Sequence, residues 1–65
     1  MKVSIRKNAW DNWYGYIGGK IVIAFASFDG PRRAEERATE WLFRMKSQPD
    51  SVHREILRGL FGGRK

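Results

Sequence analysis

Sixty-five residues carry thirteen Lys and Arg against seven Asp and Glu, a formal charge of +6, and no Cys. That length leaves no room for a cofactor domain beside a catalytic one, and the missing Cys excludes disulfides, thiolate nucleophiles and zinc–thiolate clusters. A hydrophobic content of 42% with 14% aromatics is too apolar for a disordered basic tail, so one folded basic domain is expected over 1–65, with anionic partners favoured.

The start, Met1-Lys2-Val3-Ser4-Ile5-Arg6-Lys7, has no apolar leader core, and the longest uncharged apolar stretch runs only from Ile21 to Phe28. A membrane helix needs roughly 20 apolar residues. A cytoplasmic protein without membrane contact is therefore expected.

Strands come first. The alternation in Lys2-Val3-Ser4-Ile5-Arg6 predicts a half-buried strand over about 2–7. Turn formers fill Asn8 to Asn12, a loop. Trp13-Tyr14-Gly15-Tyr16-Ile17 and Lys20-Ile21-Val22-Ile23-Ala24-Phe25-Ala26-Ser27 are β-prone and flank Gly18-Gly19. This predicts a hairpin of strands 13–17 and 20–27, because a type I′ turn needs positive φ at both central positions.

Helices follow. Asp29 or Gly30 is placed to cap, and Pro31 suits the first helical position. Ala34, Ala38, Trp41, Leu42 and Met45 fall on one apolar stripe, which predicts a helix over about 31–47. Gln48-Pro49-Asp50 breaks it. Asp50 or Ser51 caps a shorter helix over about 51–61 carrying Val52, Ile56, Leu57, Leu60 and Phe61, and Gly62-Gly63 ends it before a basic Arg64-Lys65 tail. The expected fold is α+β: a three-stranded antiparallel sheet packed by a long helix, plus a short C-terminal helix.

A two-residue turn at Gly18-Gly19 would pair Ile17 with Lys20, Tyr16 with Ile21, Gly15 with Val22, Tyr14 with Ile23 and Trp13 with Ala24. One sheet face would then hold Tyr14, Tyr16, Ile21, Ile23 and Phe25, and the other Trp13, Ile17, Val22 and Ala24. Neither is polar. One helix covers one face, so the second requires helix two, a second copy of the chain or a partner. Tyr14, Tyr16, Val22 and Phe25 are the candidates for a protein interface.

With Trp13-Tyr14-Gly15-Tyr16-Ile17 as a middle strand, Phe28-Asp29-Gly30 after the third, and Ala34-Glu35-Glu36-Arg37-Ala38 opening a helix, the stretch from Arg6 to Leu42 resembles a known DNA-binding domain. It is the three-stranded-sheet-plus-helix domain of plant ethylene-response factors and of the arm-binding domains of tyrosine integrases from phages and mobile elements. The resemblance implies a sheet that enters the major groove, with Lys2, Arg6, Lys7, Trp10, Trp13 and Lys20 as contact residues. Strand three departs from that pattern, having no Arg or Lys between Ile21 and Ser27, so phosphate contact is better supplied than base-edge readout.

Arg32 and Arg33 are adjacent cations at a helix start, against the helix dipole, a misfit that a phosphate or an acidic protein surface would relieve. The rest of that helix, with Arg37, Glu35, Glu36 and Glu40, reads as a solvated face of i,i+3 and i,i+4 ion pairs. The single His53 lacks metal-ligand companions and is expected on an exposed helix surface. Gly15, Gly18 and Gly19 do not have phosphate-loop spacing. The chain shows no paired acid–base set, so no enzyme activity, cofactor, metal or small-molecule substrate is expected.

Two functions fit. One is a small nucleic-acid-binding module using Lys2, Arg6, Lys7, Trp10, Trp13, Lys20, Arg32 and Arg33. The other is a protein-binding inhibitor that blocks a host complex through an apolar surface, as phage-encoded anti-defence proteins such as anti-CRISPRs do. A homodimer is compatible with either.

Overall fold

Gly18 and Gly19 adopt φ of 61° and 83° and fold β2 (Trp13–Ile17) back onto β3 (Lys20–Phe25), as the positive-φ requirement of a tight hairpin dictates. β1 (Val3–Lys7) pairs antiparallel with the other side of β2, giving the order β1-β2-β3. Helices α1 (Pro31–Lys46) and α2 (Asp50–Phe61) complete an α+β fold. The computed structural model describes residues 1–62; the expected Gly63 terminator and the Arg64-Lys65 tail lie outside them. Among the described residues no helix is long and apolar enough to cross a membrane.

The register departs from simple alternation after two pairs. Ile17 faces Lys20 and Tyr16 faces Ile21, but Gly15 then faces Ile23, Tyr14 faces Ala24 and Trp13 faces Phe25. Val22 is the extra residue of a β-bulge, where two residues oppose one. Both Val22 and Ile23 consequently pack against the core, as does Phe25. Without the bulge, Ile23 and Phe25 would face away from the helices and Ala24 would take their place. The bulge forfeits a ladder hydrogen bond, roughly 1 kcal/mol net. Burying two large side chains returns about 1.5–3 kcal/mol each. Burial wins.

Gly15 makes the other accommodation. A side chain there would stand 2.6 Å from the Trp41 ring and from Ile23 Cγ2, so the missing Cβ is the space in which the indole lies on the sheet. Trp41 in turn meets Phe25 edge-to-face, with ring centroids 6.3 Å apart, the geometry favoured by aromatic quadrupoles. Ala34 and Ala38 let α1 approach closely and are fully buried. Ile56 and Leu57 of α2 pack on the same cluster. Both helices therefore cover one face of the sheet, and the other stays open.

Element ends shift for local reasons. β3 stops at Phe25 rather than Ser27, because the Ser27 amide donates to Asn12 Oδ1 at 2.8 Å instead of extending the ladder. β1 begins at Val3, and α1 ends at Lys46 with Ser47 as its C-cap. Gly30, at φ 117°, takes the cap position of α1, which frees Asp29 to pair with Arg37. The Arg37 guanidinium holds the Asp29 carboxyl below its usual range. Extended Pro49 precedes α2, so Asp50 is its first residue rather than its cap.

His53 is buried, not exposed: only 2% of its surface is accessible. Its Nε2 lies 2.7 Å from the Met45 carbonyl, and since a carbonyl only accepts, Nε2 carries the proton. The bond ties α2 to the last turn of α1. Substituting His53→Ala removes this tie and leaves a cavity, at an expected cost of about 2 kcal/mol, read as a lower urea midpoint. An unchanged midpoint would show that the contact adds nothing.

Candidate functional site

Strand pairing sorts the side chains. Ser4 pairs with Tyr16 and Arg6 with Tyr14, while Tyr16 pairs with Ile21 and Tyr14 with Ala24. Directly paired residues share a face, so these six side chains occupy the helix-free side. Lys2, just before β1, joins Ser4, Arg6, Tyr16 and Gly19 around a shallow depression there. This face is neither doubly apolar nor acidic. It combines two cations, a hydroxyl, two half-buried Tyr rings and two small or aliphatic groups. Among the described residues neither Lys2 nor Arg6 has an ion-pair partner.

The loop at the Tyr14 end is built by two asparagines. Asn8 Oδ1 accepts from the Trp10 and Asn12 amides at 2.9 and 3.0 Å, and Asn8 Nδ2 donates to the Tyr14 hydroxyl at 3.3 Å. Asp11 sits at φ 62°, the left-handed region that Asp and Asn tolerate. The Ser27 hydroxyl lies 3.0 Å from both the Trp10 carbonyl and Asn12 Oδ1. These bonds fix the backbone of a loop that leaves Trp10 75% exposed. A ring carried on a hydrogen-bonded loop has its backbone ordered in advance of any contact, which leaves only side-chain freedom to be lost on binding.

The remaining candidates lie elsewhere. Lys7 and Trp13 are on the helix-covered side with Arg32 and Glu35, around the start of α1, and Lys7 is 3.4 Å from Asp11. Arg33 lies on the outer surface of α1 with Glu36, Arg37 and Glu40. Lys20 Nζ stands 5.2 Å above the Phe61 ring, on the side of α2. Of the eight nucleic-acid candidates, Lys2 and Arg6 share the open face and Trp10 stands at its end; Lys7, Trp13, Lys20, Arg32 and Arg33 do not join them. Of the four protein-interface candidates, Tyr14 and Tyr16 are on the open face. Val22 and Phe25 are not available: both pack against the core, Val22 on the side where regular alternation also puts it, and Phe25 because the bulge turns it there.

Sequence reading missed that Lys2 and Arg6 stand beside Tyr14 and Tyr16. The signal was present in β1: with Val3 and Ile5 directed inward, Lys2, Ser4 and Arg6 must face outward. Ser4 and the two loop asparagines carried no charge or ring to draw notice. Comparison with protein-family models, with curated proteins and with solved structures finds no match to this chain.

Proposed function

We propose that the chain is a small, non-enzymatic nucleic-acid-binding module whose contact surface is the helix-free face of the sheet. The observation that carries this reading is the pair Lys2 and Arg6, which among the described residues have no ion-pair partner and stand beside two aromatic rings on a face without an acidic side chain. Phosphates supply the complementary charge, and bases supply partners for the rings. The first four elements of the β-β-β-α-α order have the order of the DNA-binding domains the sequence resembles, a resemblance that implies contact through the helix-free side of the sheet and a phage or mobile-element setting. Arg32 and Arg33 remain outlying phosphate contacts at most, since they lie off this face. The alternative, an inhibitor that binds a host protein through an apolar surface, has less support, because Val22 and Phe25 are spent on the core.

A charge-reversal comparison tests the reading. Fluorescence anisotropy with a labelled oligonucleotide should show binding at about 50 mM salt that weakens steeply toward about 200 mM. Lys2→Glu with Arg6→Glu should abolish it at the higher salt and reduce the dependence of log K on log salt by about 1.5, the contribution of two phosphate contacts. The same change in net charge made at Arg44 and Arg54, both exposed on the helices, should leave most of the binding. Equal losses from the two pairs would reduce the interaction to nonspecific attraction by a cationic protein and overturn the assignment.

A further inference from the structure

The same face discriminates between forms of nucleic acid. We propose that its occupant is a single strand with unstacked bases, lying along β2 with bases on Tyr14 and Tyr16 and phosphates along the Lys2–Arg6 edge. The inference rests on the nucleic-acid reading above.

Three features favour one strand over a duplex. The first is the asymmetry of charge. Both cations of the open face come from β1 and the residue before it, while β3 contributes Ile21 and Ala24 and directs Lys20 toward Phe61 on the other side. A duplex groove is bounded by two phosphate backbones and asks for cations at both edges of an inserted sheet; a single strand has one backbone.

The second feature is ring spacing. Tyr14 and Tyr16 are two residues apart on one strand, hence about 6.7 Å apart along it. Successive bases in a duplex are separated by about 3.4 Å along the axis and bury their faces against one another. Rings that present π surface find a partner only where bases have come out of the stack.

The third is the lack of readers for base edges. Among the described residues, beyond Lys2 and Arg6 the paired positions of this face offer the Ser4 and Tyr hydroxyls, and Tyr14's is already engaged by Asn8. Stacking tolerates any base, so weak sequence preference is expected.

The test uses a labelled single strand of mixed sequence, about 20 nucleotides long to exceed one site, and the same strand annealed to its complement. The single strand should bind at least about tenfold more tightly than the duplex at equal salt. Tyr16→Ala should weaken single-strand binding about 5- to 150-fold, the range for one lost base stack, whereas Tyr16→Phe, which keeps the ring, should retain it. Circular dichroism establishes that each variant is folded; if Tyr16→Ala is not, Tyr16→Leu takes its place, keeping bulk without a π face. Duplex binding equal to or tighter than single-strand binding, or a Phe variant as weak as the Ala one, overturns the inference while leaving the nucleic-acid reading standing. No binding to either form overturns both.

Discussion

Gly15→Val should leave the chain unfolded at room temperature. A side chain at this position begins with a Cβ 2.6 Å from both the Trp41 ring and Ile23 Cγ2, well inside van der Waals contact, and Val adds two further methyl groups. The indole has nowhere to retreat. It is 8% exposed, with Phe25 at its edge and α1 holding it from above. Overpacking a core by a methylene or two costs about 1–3 kcal/mol. The stability of a domain this size is only roughly 3–10 kcal/mol, so three added carbons consume most of it. Loss of the near-ultraviolet dichroism of the tryptophans and of a cooperative urea transition would be the readout. Gly15→Ala should destabilise less. Combined with Trp41→Phe, whose ring ends short of the indole atoms Cζ3 and Cη2 that crowd Gly15, it should cost less than the two single changes added. A Gly15→Val protein that melts within a few degrees of the parent would mean that the indole does not rest on this glycine.

Gly15 also marks the boundary between what the sequence discloses and what it hides. The bend at Gly18-Gly19, the stripe Ala34, Ala38, Trp41, Leu42, Met45, and the inward pair Val3 and Ile5 each follow from a local rule: positive φ, helical period, strand alternation. The bulge does not. From Ile21 to Phe25 every residue is apolar, so alternation has no phase, and the choice of which side each residue faces is left to the core. The core selects Ile23 and Phe25 because Trp41 needs large partners where Gly15 offers none. The candidate site inherits this division. Tyr14, Tyr16 and Val22 fall on the faces that alternation from the turn gives them, whereas Ile23 and Phe25 lie beyond the slip and do not. His53 had a legible signal that its polarity obscured: with Ile56, Leu57 and Leu60 it completes the i, i+3, i+4, i+7 stripe of α2. Nothing in the sequence joins Asp29 to Arg37, because that pair depends on a glycine taking the cap.

The bulge makes a prediction that separates it from a regular hairpin. Residues 21 and 25 have the same parity, so in an unbroken strand they would share a face and respond alike to a buried or exposed environment. With Val22 inserted they are on opposite faces: Ile21 is 49% exposed on the open side, and Phe25 packs on Trp41. Phe25→Asp should therefore remove the ring's burial, about 3–5 kcal/mol as judged from truncation to Ala, and place a carboxylate against the indole besides, enough to unfold most of the population. Ile21→Asp should cost about 1 kcal/mol or less, the loss of a β-branched residue from an edge strand. Urea midpoints of the two variants measure the contrast. Similar losses at both sites would place residues 21 and 25 on one face, restore the regular register, and return Phe25 to the surface on which Tyr14 and Tyr16 stand.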